Sequence, residues 1–384
     1  MERMEFYIIL RKSVLKIKLE VSSVKKFPMP PERVFDFQES RLPIGMGAFL
    51  INSELYLTGG EKLMDGALLA NKCNSSAILE SSYGDGGLNS IIYWFRPDSS
   101  VRFTTEHKIK KMNKPKTNPR VAKVDGRVYI LSCYPHCMRD DVFAYPAAPF
   151  ECYDPLTNMW EVLAEPPHYK TDPMSHIISH FFVMGKRIYM RNRHGLQCYD
   201  VIAGEWYDDN AILGEFPRKV YSNMLDFVSV AEDEDNGFAI AYEYGKGLAS
   251  YTLAIDRTIK RREMLEKINA TLPSLENCRE GFLYHLGGGR FCFILSVIGL
   301  EESDWMVNVC LFEVKVGVDP DGGFGPLETS LLCSHSHDLL SLMSSPEHKT
   351  IQDVVFMGNL PNKASRKRGR IQEMVSDAVI NRSS

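Results

Sequence analysis

The chain has 384 residues, a formal net charge of −4, 44% hydrophobic residues and 24% charged residues. These are the proportions of an ordinary globular protein, and the negative balance excludes a global positive field that would hold a nucleic-acid backbone. No apolar stretch approaches the ~18 residues that cross a bilayer, so we expect no membrane span.

Two apolar runs near the N-terminus predict strands at residues 6–10 and 14–21. The second run alternates apolar with basic residues, which favours an outer strand of a sheet. Residues 351–358, near the other terminus, have a similar strand pattern. We therefore predict one composite sheet that joins both termini, with residues 6–10 and 14–21 as its last two strands.

Between the terminal strands, two apolar runs separated by a polar turn recur five times. The second copy turns at Asp125-Gly126, a strong hairpin signal because a two-residue primed turn needs residues that tolerate positive φ. The five paired runs lie at residues 48–51 and 55–60, 121–124 and 127–131, 181–184 and 187–190, 227–230 and 238–241, and 282–286 and 291–295.

A second strand pair follows each of the first three copies. These pairs lie at residues 90–95 and 101–105, 150–154 and 158–163, and 196–200 and 205–207. The fourth and fifth copies add strands at residues 248–253 and 307–314. Four strands per unit, repeated at roughly 50 residues, is typical of propeller blades.

The second and third copies share a longer motif, Cys-Tyr-Asp followed by a turn and a Trp. Tyr153, Asp154 and Trp160 form it in one copy; the other has Tyr199, Asp200 and Trp206. The first copy instead has Gly59-Gly60 at the end of its second strand. Large aromatic side chains at these positions would pack one blade on the next, while the two glycines allow tight turns and close approach.

This pattern resembles the kelch repeat, and the chain is similar to plant F-box/kelch proteins over residues 42–315. With the composite sheet included, we predict an all-β, kelch-type propeller of six four-stranded blades over residues 1–360, closed by strands from both termini. The fourth and fifth copies lack the Tyr-Asp and Trp positions and are diverged.

Three long connections, at residues 61–89, 134–148 and 257–277, predict functional or disordered loops. A short helix is predicted at residues 261–268 inside the third. The tail, residues 361–384, is expected to be disordered; its basic run at residues 363–370 fits either a nuclear localisation signal or a solubilising tail. The basic run at residues 107–116 is expected to be a solvated connector. Nine cysteines in apolar runs indicate reduced thiols, so we expect a cytoplasmic protein, with nuclear entry left open.

Motifs for nucleotide binding and catalysis are not found in the sequence. Cys133, His136 and Cys137 form one small group and Cys333, His335 and His337 another, but a zinc site needs about four ligands. We therefore predict no metal and no cofactor. The alternative function is a metal-dependent small-molecule enzyme that uses the central propeller pocket.

The leading hypothesis is a non-enzymatic scaffold, monomeric and without nucleic-acid or membrane partners, that binds a protein through loops on one face of the ring. Candidate contacts are Tyr83, Asp85, Tyr134 and Arg139. The family resemblance implies substrate recognition in a ubiquitin ligase. No F-box-like helical pattern precedes the first strand. Either the ligase role of the family is lost here or the chain is an incomplete version of a longer product, and we expect no direct binding of this chain to the ligase adaptor.

Overall fold

The computed structural model describes residues 2–10, 13–21, 30–36, 45–52, 54–60, 92–95, 109–133, 149–208, 228–232, 237–243, 246–253, 259–272, 278–298, 305–318, 324–339 and 351–359. Strands dominate this part of the chain. A single turn of 3-10 helix lies at Pro173–His176, and a four-residue α-helix, α1, at Glu266–Asn269. Neither of these helices has the length to cross a membrane.

The strands form antiparallel sheets in chain order. The first sheet contains β4 (Gly47–Ile51), β5 (Glu54–Thr58) and β6 (Ile92–Phe95). The second blade contains β7 (Arg120–Val124), β8 (Arg127–Leu131), β9 (Phe150–Asp154) and β10 (Met159–Val162). The third blade contains β11 (His180–Met184), β12 (Arg187–Asn192), β13 (Gly195–Asp200) and β14 (Glu205–Asp208).

Most strands of the remaining blades are longer. The fourth contains β15 (Val228–Glu232), β16 (Gly237–Glu243), β17 (Gly247–Leu253) and β18 (Ile259–Met264). The fifth contains β19 (Cys278–Gly287), β20 (Arg290–Ile298), β21 (Trp305–Val318) and β22 (Phe324–Asp338). The composite blade has the order β23 (Ile351–Asn359), β1 (Glu2–Leu10), β2 (Ser13–Val21) and β3 (Glu32–Asp36).

The sheets are arranged as a propeller. The inner strands β7, β11, β15, β19 and β23 contact one another in that order, and β4 contacts both β23 and β7. The predicted all-β propeller is confirmed. The predicted six four-stranded blades are not: the described residues give five complete blades in the ring, and the first sheet has three strands. Its expected last strand, residues 101–105, lies outside the described residues.

Burial is concentrated between neighbouring sheets, because alternate residues of a strand point to opposite faces. On β1, Tyr7 and Ile9 pack against Leu55 and Leu57 of the first sheet. Phe6, on the other face of β1, belongs to a cluster shared with the fifth blade. Each sheet thus buries both faces only when neighbours cover it, which explains why a repeated sheet closes into a ring.

Strands from both termini do share one blade, since Phe6 of β1 pairs with Phe356 of β23. Residues 6–10 and 14–21 are, however, parts of its second and third strands, and the outermost strand is β3. The lysines that favoured an outer position are instead paired: Lys16 Nζ lies 2.8 Å from Glu5, and Lys18 Nζ 2.8 Å from Glu32.

The short helix predicted at residues 261–268 is confirmed in part. Residues 261–264 belong to strand β18, and the helix is Glu266–Asn269. No pattern in the sequence predicted the fifteen-residue strand β22. Both are outermost strands, which pair on one side only and therefore need less apolar alternation.

Candidate functional site

Residues 109–119, named the strap, lead into β7 and close the gap between the first sheet and the second blade. Ile109 and Met112 are buried there beside Tyr56 and Trp160. The Trp160 indole N–H donates to the Lys110 carbonyl at 2.6 Å. The basic run at residues 107–116 was expected to be a solvated connector; its described residues are instead anchored to the blade.

A buried ion pair fixes the end of the strap nearest β7. The side chains of Lys116 and Glu151 are fully buried and in direct contact. Glu151 also accepts the backbone N–H groups of Asn113 at 2.9 Å and Lys114 at 3.1 Å. Burial lowers the pKa of Lys116, while Glu151 acts to raise it. A buried pair with its remaining hydrogen bonds satisfied holds one geometry.

The two loops predicted to bind a partner begin beside consecutive strap residues. The Gly60 N–H donates to the Lys116 carbonyl at 2.9 Å, and the Cys133 N–H to the Thr117 carbonyl at 2.9 Å. Ser132 and Pro149, at the two ends of the second loop, are joined by a 2.7 Å backbone hydrogen bond. The bases of both loops contact the strap at one end of the ring, and we call this end "the loop face".

Gly59 shows how closely the first loop base approaches the strap. Its φ is +69°, and a Cβ atom placed there would lie 2.8 Å from the Pro119 side chain and 2.9 Å from the Lys116 carbonyl. Only glycine fits such a conformation at such a distance without strain. The Gly-Gly motif therefore brings the first loop to the strap.

The connection before the third blade, residues 163–179, extends the loop face. Its Ala164 carbonyl accepts the Trp206 indole N–H at 2.9 Å, the same tie that Trp160 makes to the strap. Further along, the Tyr169 hydroxyl donates to the Ser132 carbonyl at 3.4 Å. The base of the second loop therefore lies between the strap and this connection.

A cluster of ionisable side chains lies at the exposed end of this connection. His194 Nε2 lies 2.6 Å from Asp172 Oδ2, Arg193 Nε lies 3.5 Å from the same oxygen, and the His168 and His194 rings stack at 4.2 Å. Burial alone would raise the pKa of Asp172, but hydrogen bonds from His194 and the Met174 amide lower it. The cluster offers polar contacts to a ligand on the loop face.

The two sequence groups of cysteine and histidine can be located in part on the structure. No group of three or more His, Cys, Asp or Glu side chains in the described part of the chain has a metal-binding arrangement. Of the two sequence groups, His136 and Cys137 lie outside the described residues, and His335 and His337 have ring centroids 6.4 Å apart. Burial raises the pKa values of Cys133 and Cys333 to about 11, which keeps both thiols protonated and weakly nucleophilic.

The Asp residues of the repeat motif lie at the opposite end of the blades. Asp154 pairs with Arg127 and Asp200 with Arg187, each at 3.2 Å. Asp154 also accepts the Leu156 N–H at 2.8 Å, as a turn-forming Asp does. These residues shape the turn and contact no residue of the loop face described above.

A family model described as "Protein of unknown function (DUF1668)" matches residues 99–308, more than half of the chain. The chain belongs to this family. The DUF1668 match begins before the strap and ends within β21, so it includes the buried ion pair and the connection before the third blade. No curated protein matches the chain significantly.

Solved structures show similarity to this DUF1668 protein at low identity. YjhT has a TM-score of 0.46 and 10% identity, with 83% of this chain and 91% of YjhT covered. The N-terminal domain of Nup159 has a TM-score of 0.30 and 9% identity, with 74% of this chain and 58% of that chain covered. At these values the similarities say nothing of what this chain binds.

The four candidate contacts, Tyr83, Asp85, Tyr134 and Arg139, lie outside the described residues. Their loops are anchored by residues that the sequence did not single out: Lys116, Thr117 and Glu151. A signal for one of them was present, because Glu151 precedes Cys-Tyr-Asp in the second copy where Gln197 precedes it in the third. A charged residue at one of two equivalent buried positions indicates that this copy alone has an ion-pair partner for it elsewhere in the chain.

Proposed function

We propose that this chain is a kelch-type propeller that acts as a non-enzymatic scaffold and binds a protein partner through the loops of its loop face. The Gly59-Gly60 motif and the two Tyr-Asp motifs with their Trp residues support the kelch assignment. We also propose that the three-stranded first sheet is a sixth blade, because β4 contacts β23 on one side and β7 on the other.

One observation carries the binding proposal. The bases of the two long loops are hydrogen-bonded to Lys116 and Thr117, neighbours in sequence on an anchored strap. Loops held by a rigid scaffold at adjacent points can present one continuous surface. Tyr83, Tyr134 and Arg139 are the residue types that dominate binding hot spots, and Asp85 is included for its place in the first loop.

Two paired variants test this surface. Affinity capture compares the tagged wild type with the variants Y83A/D85A and Y134A/R139A. If the loops supply hot spots, each variant should capture roughly ten-fold less of a partner that the wild type captures. The control is I202S, in the turn that follows β13 at the end of the third blade away from the loop face; this side chain is 76% exposed. Direct binding of the purified partner completes the test. Loss in the control alone would contradict the proposal.

The enzymatic alternative predicts a different result. A metal-dependent enzyme purified from its native source would contain a stoichiometric transition metal, which metal analysis detects directly. Such a metal, with activity that disappears when it is removed, would contradict the scaffold proposal. The proposed location is the cytoplasm or nucleus, and deletion of residues 361–384 tests whether the basic tail directs nuclear entry.

A further inference from the structure

The strap carries three exposed lysines, Lys110, Lys111 and Lys114, named the lysine ridge. In the described part of the chain, none has a carboxylate within ion-pair distance. Among the described residues, Lys110 Nζ contacts the weak acceptor Met159 Sδ, at 2.8 Å. Six other described lysines are paired with carboxylates: Lys16–Glu5, Lys18–Glu32, Lys116–Glu151, Lys170–Glu165, Lys186–Asp125 and Lys315–Glu313. Lys123 instead donates to the Leu50 carbonyl at 3.5 Å, and the ridge differs from it in bringing three lysines together.

The backbone of the ridge is already ordered. The Lys110 N–H donates to Asn158 Oδ1 at 3.2 Å and its carbonyl accepts from Trp160. The Lys114 N–H is held by Glu151. Between these points Met112 is buried. A ligand that binds the three lysines therefore does not have to order the backbone that carries them, and this preorganisation favours affinity.

The ridge places three cations within five residues, without a carboxylate partner among the described residues, in a chain of net charge −4. It is therefore complementary to a short acidic segment and not to a long polyanion. A nucleic acid would meet the negative field of the remaining surface. Beside the ridge, Met159 is 49% exposed and provides apolar contact area. Lys114 is two residues from Lys116, so the ridge leads directly to the bases of the two loops.

We propose that the lysine ridge binds an acidic segment of the protein partner, with glutamate or aspartate side chains on the lysines and an apolar side chain over Met159. This inference deepens the proposed function and rests on it for the existence of a protein partner. The ridge gives the partner a continuous path from the side of the second blade to the loop face.

The test uses the purified full chain and a fluorescein-labelled peptide of about ten residues that alternates glutamate with leucine and serine. A matched peptide has glutamine in place of glutamate. The protein variants are K110Q/K111Q/K114Q and the control K170Q/K186Q/K315Q, in which the replaced lysines are ion-paired and exposed. Fluorescence anisotropy measures binding, and thermal unfolding checks that both variants fold.

We expect the glutamate peptide to bind wild type and the control at least roughly ten-fold more tightly than the ridge variant. Binding should weaken as salt rises from about 50 to about 300 mM, and the glutamine peptide should bind poorly to all three proteins. The inference would be overturned by any of three results: equal binding of the glutamate peptide to both variants, no binding of it to wild type, or tighter binding of a single-stranded oligonucleotide than of the glutamate peptide to wild type. The loop variants Y83A/D85A and Y134A/R139A should bind this peptide normally, so failure of the ridge is distinguishable from failure of the loop surface.

Discussion

Equivalent positions of the second and third blades carry Glu151 and Gln197, and both side chains are fully buried. The glutamine donates to Asp208 at 3.3 Å and needs no counter-charge. The glutamate needs one, and Lys116 supplies it from the strap. The exchange of an amide for a carboxylate thus converts an internal hydrogen bond of one blade into a tie between a blade and a connecting segment.

Removal of Lys116 should be costly because it leaves a buried carboxylate without its cation. We expect K116M to lower the free energy of unfolding by about 3–5 kcal/mol, measured by urea denaturation at pH 7. The double variant K116M/E151Q removes both charges and keeps one acceptor oxygen, where Glu151 offers separate oxygens to the Asn113 and Lys114 N–H groups. It should recover part of that loss. A double variant as unstable as K116M would contradict this account.

Two glycines with similar φ provide a matched pair. Gly59 has φ +69° and tight contacts to the strap, whereas Gly126 has φ +78° and nothing within 4 Å of its would-be Cβ. G126A should cost about 1–2 kcal/mol, the penalty of a left-handed backbone for alanine. G59A should cost about 1–3 kcal/mol more because of overpacking. Urea unfolding midpoints measure both costs. If G59A and G126A destabilise the protein equally, the strap moves to accommodate the added methyl group without a penalty.

At the scale of elements, each described repeat Trp fastens the segment that enters its own blade. Trp160 is buried and holds Lys110, while Trp206 is partly buried and holds Ala164. In two neighbouring blades, the Trp of the motif therefore ties the outermost strand to the segment that leads into that blade.

Replacement of Trp160 should loosen the strap more than it unfolds the blade. W160F removes the hydrogen bond to the Lys110 carbonyl and should cost about 1–3 kcal/mol. Trypsin should then cleave faster after Lys110 and Lys111, while the folded blade protects other sites. W206F, which leaves the strap contacts intact, is the control. Unchanged cleavage in W160F would show that the remaining contacts of the strap, including those with Asn158 and Glu151, are enough to hold it.

The inner strands could be predicted from the sequence, and some outermost strands could not. Burial on both faces forces Val128, Tyr129 and Ile130 of β8 into a recognisable apolar run. An outermost strand has no such requirement: β18 is Ile-Lys-Arg-Arg-Glu-Met, with a charge pattern that a helix shares. The strap was missed because its pairing with Glu151 joins residues thirty-five positions apart, and no local pattern encodes that contact.

At the scale of the whole molecule, clusters of buried hydrophobic residues lie between neighbouring sheets. Every interface of the ring therefore contributes to the free energy of unfolding. Histidines are part of these interfaces. Burial lowers the pKa of His180 to about 3 and that of His176 to about 4, against an ordinary value of 6.5. The unfolded chain therefore takes up protons before the folded chain does as the pH falls.

The stability should be flat above about pH 6.5 and fall below it. Each of these two histidines should cost about 1.4 kcal/mol per pH unit until its own folded pKa is reached. Urea midpoints between pH 8 and pH 4.5 measure the slope. Asp172 and Asp200, whose pKa values lie below 3.8 in the folded chain, act mainly below this window. H180Q should reduce the slope; a flat wild-type profile would contradict the neutral, buried state of these histidines.

Closure of the ring depends on β23, which pairs with β1 from Met4 to Leu10 and contacts β19 and β4. A chain that ends after residue 360 keeps this strand, whereas one that ends after residue 350 exposes the β1 edge and leaves part of two interfaces uncovered. The shorter chain should unfold at least about 10 °C lower and aggregate through the open edge. A synthetic peptide of residues 351–359, added in trans, should raise its unfolding temperature because it restores the missing inner strand. Equal unfolding temperatures of the two truncated chains would show that the ring does not need its terminal strand, and the mutual covering of neighbouring sheets would then not explain the stability of this fold.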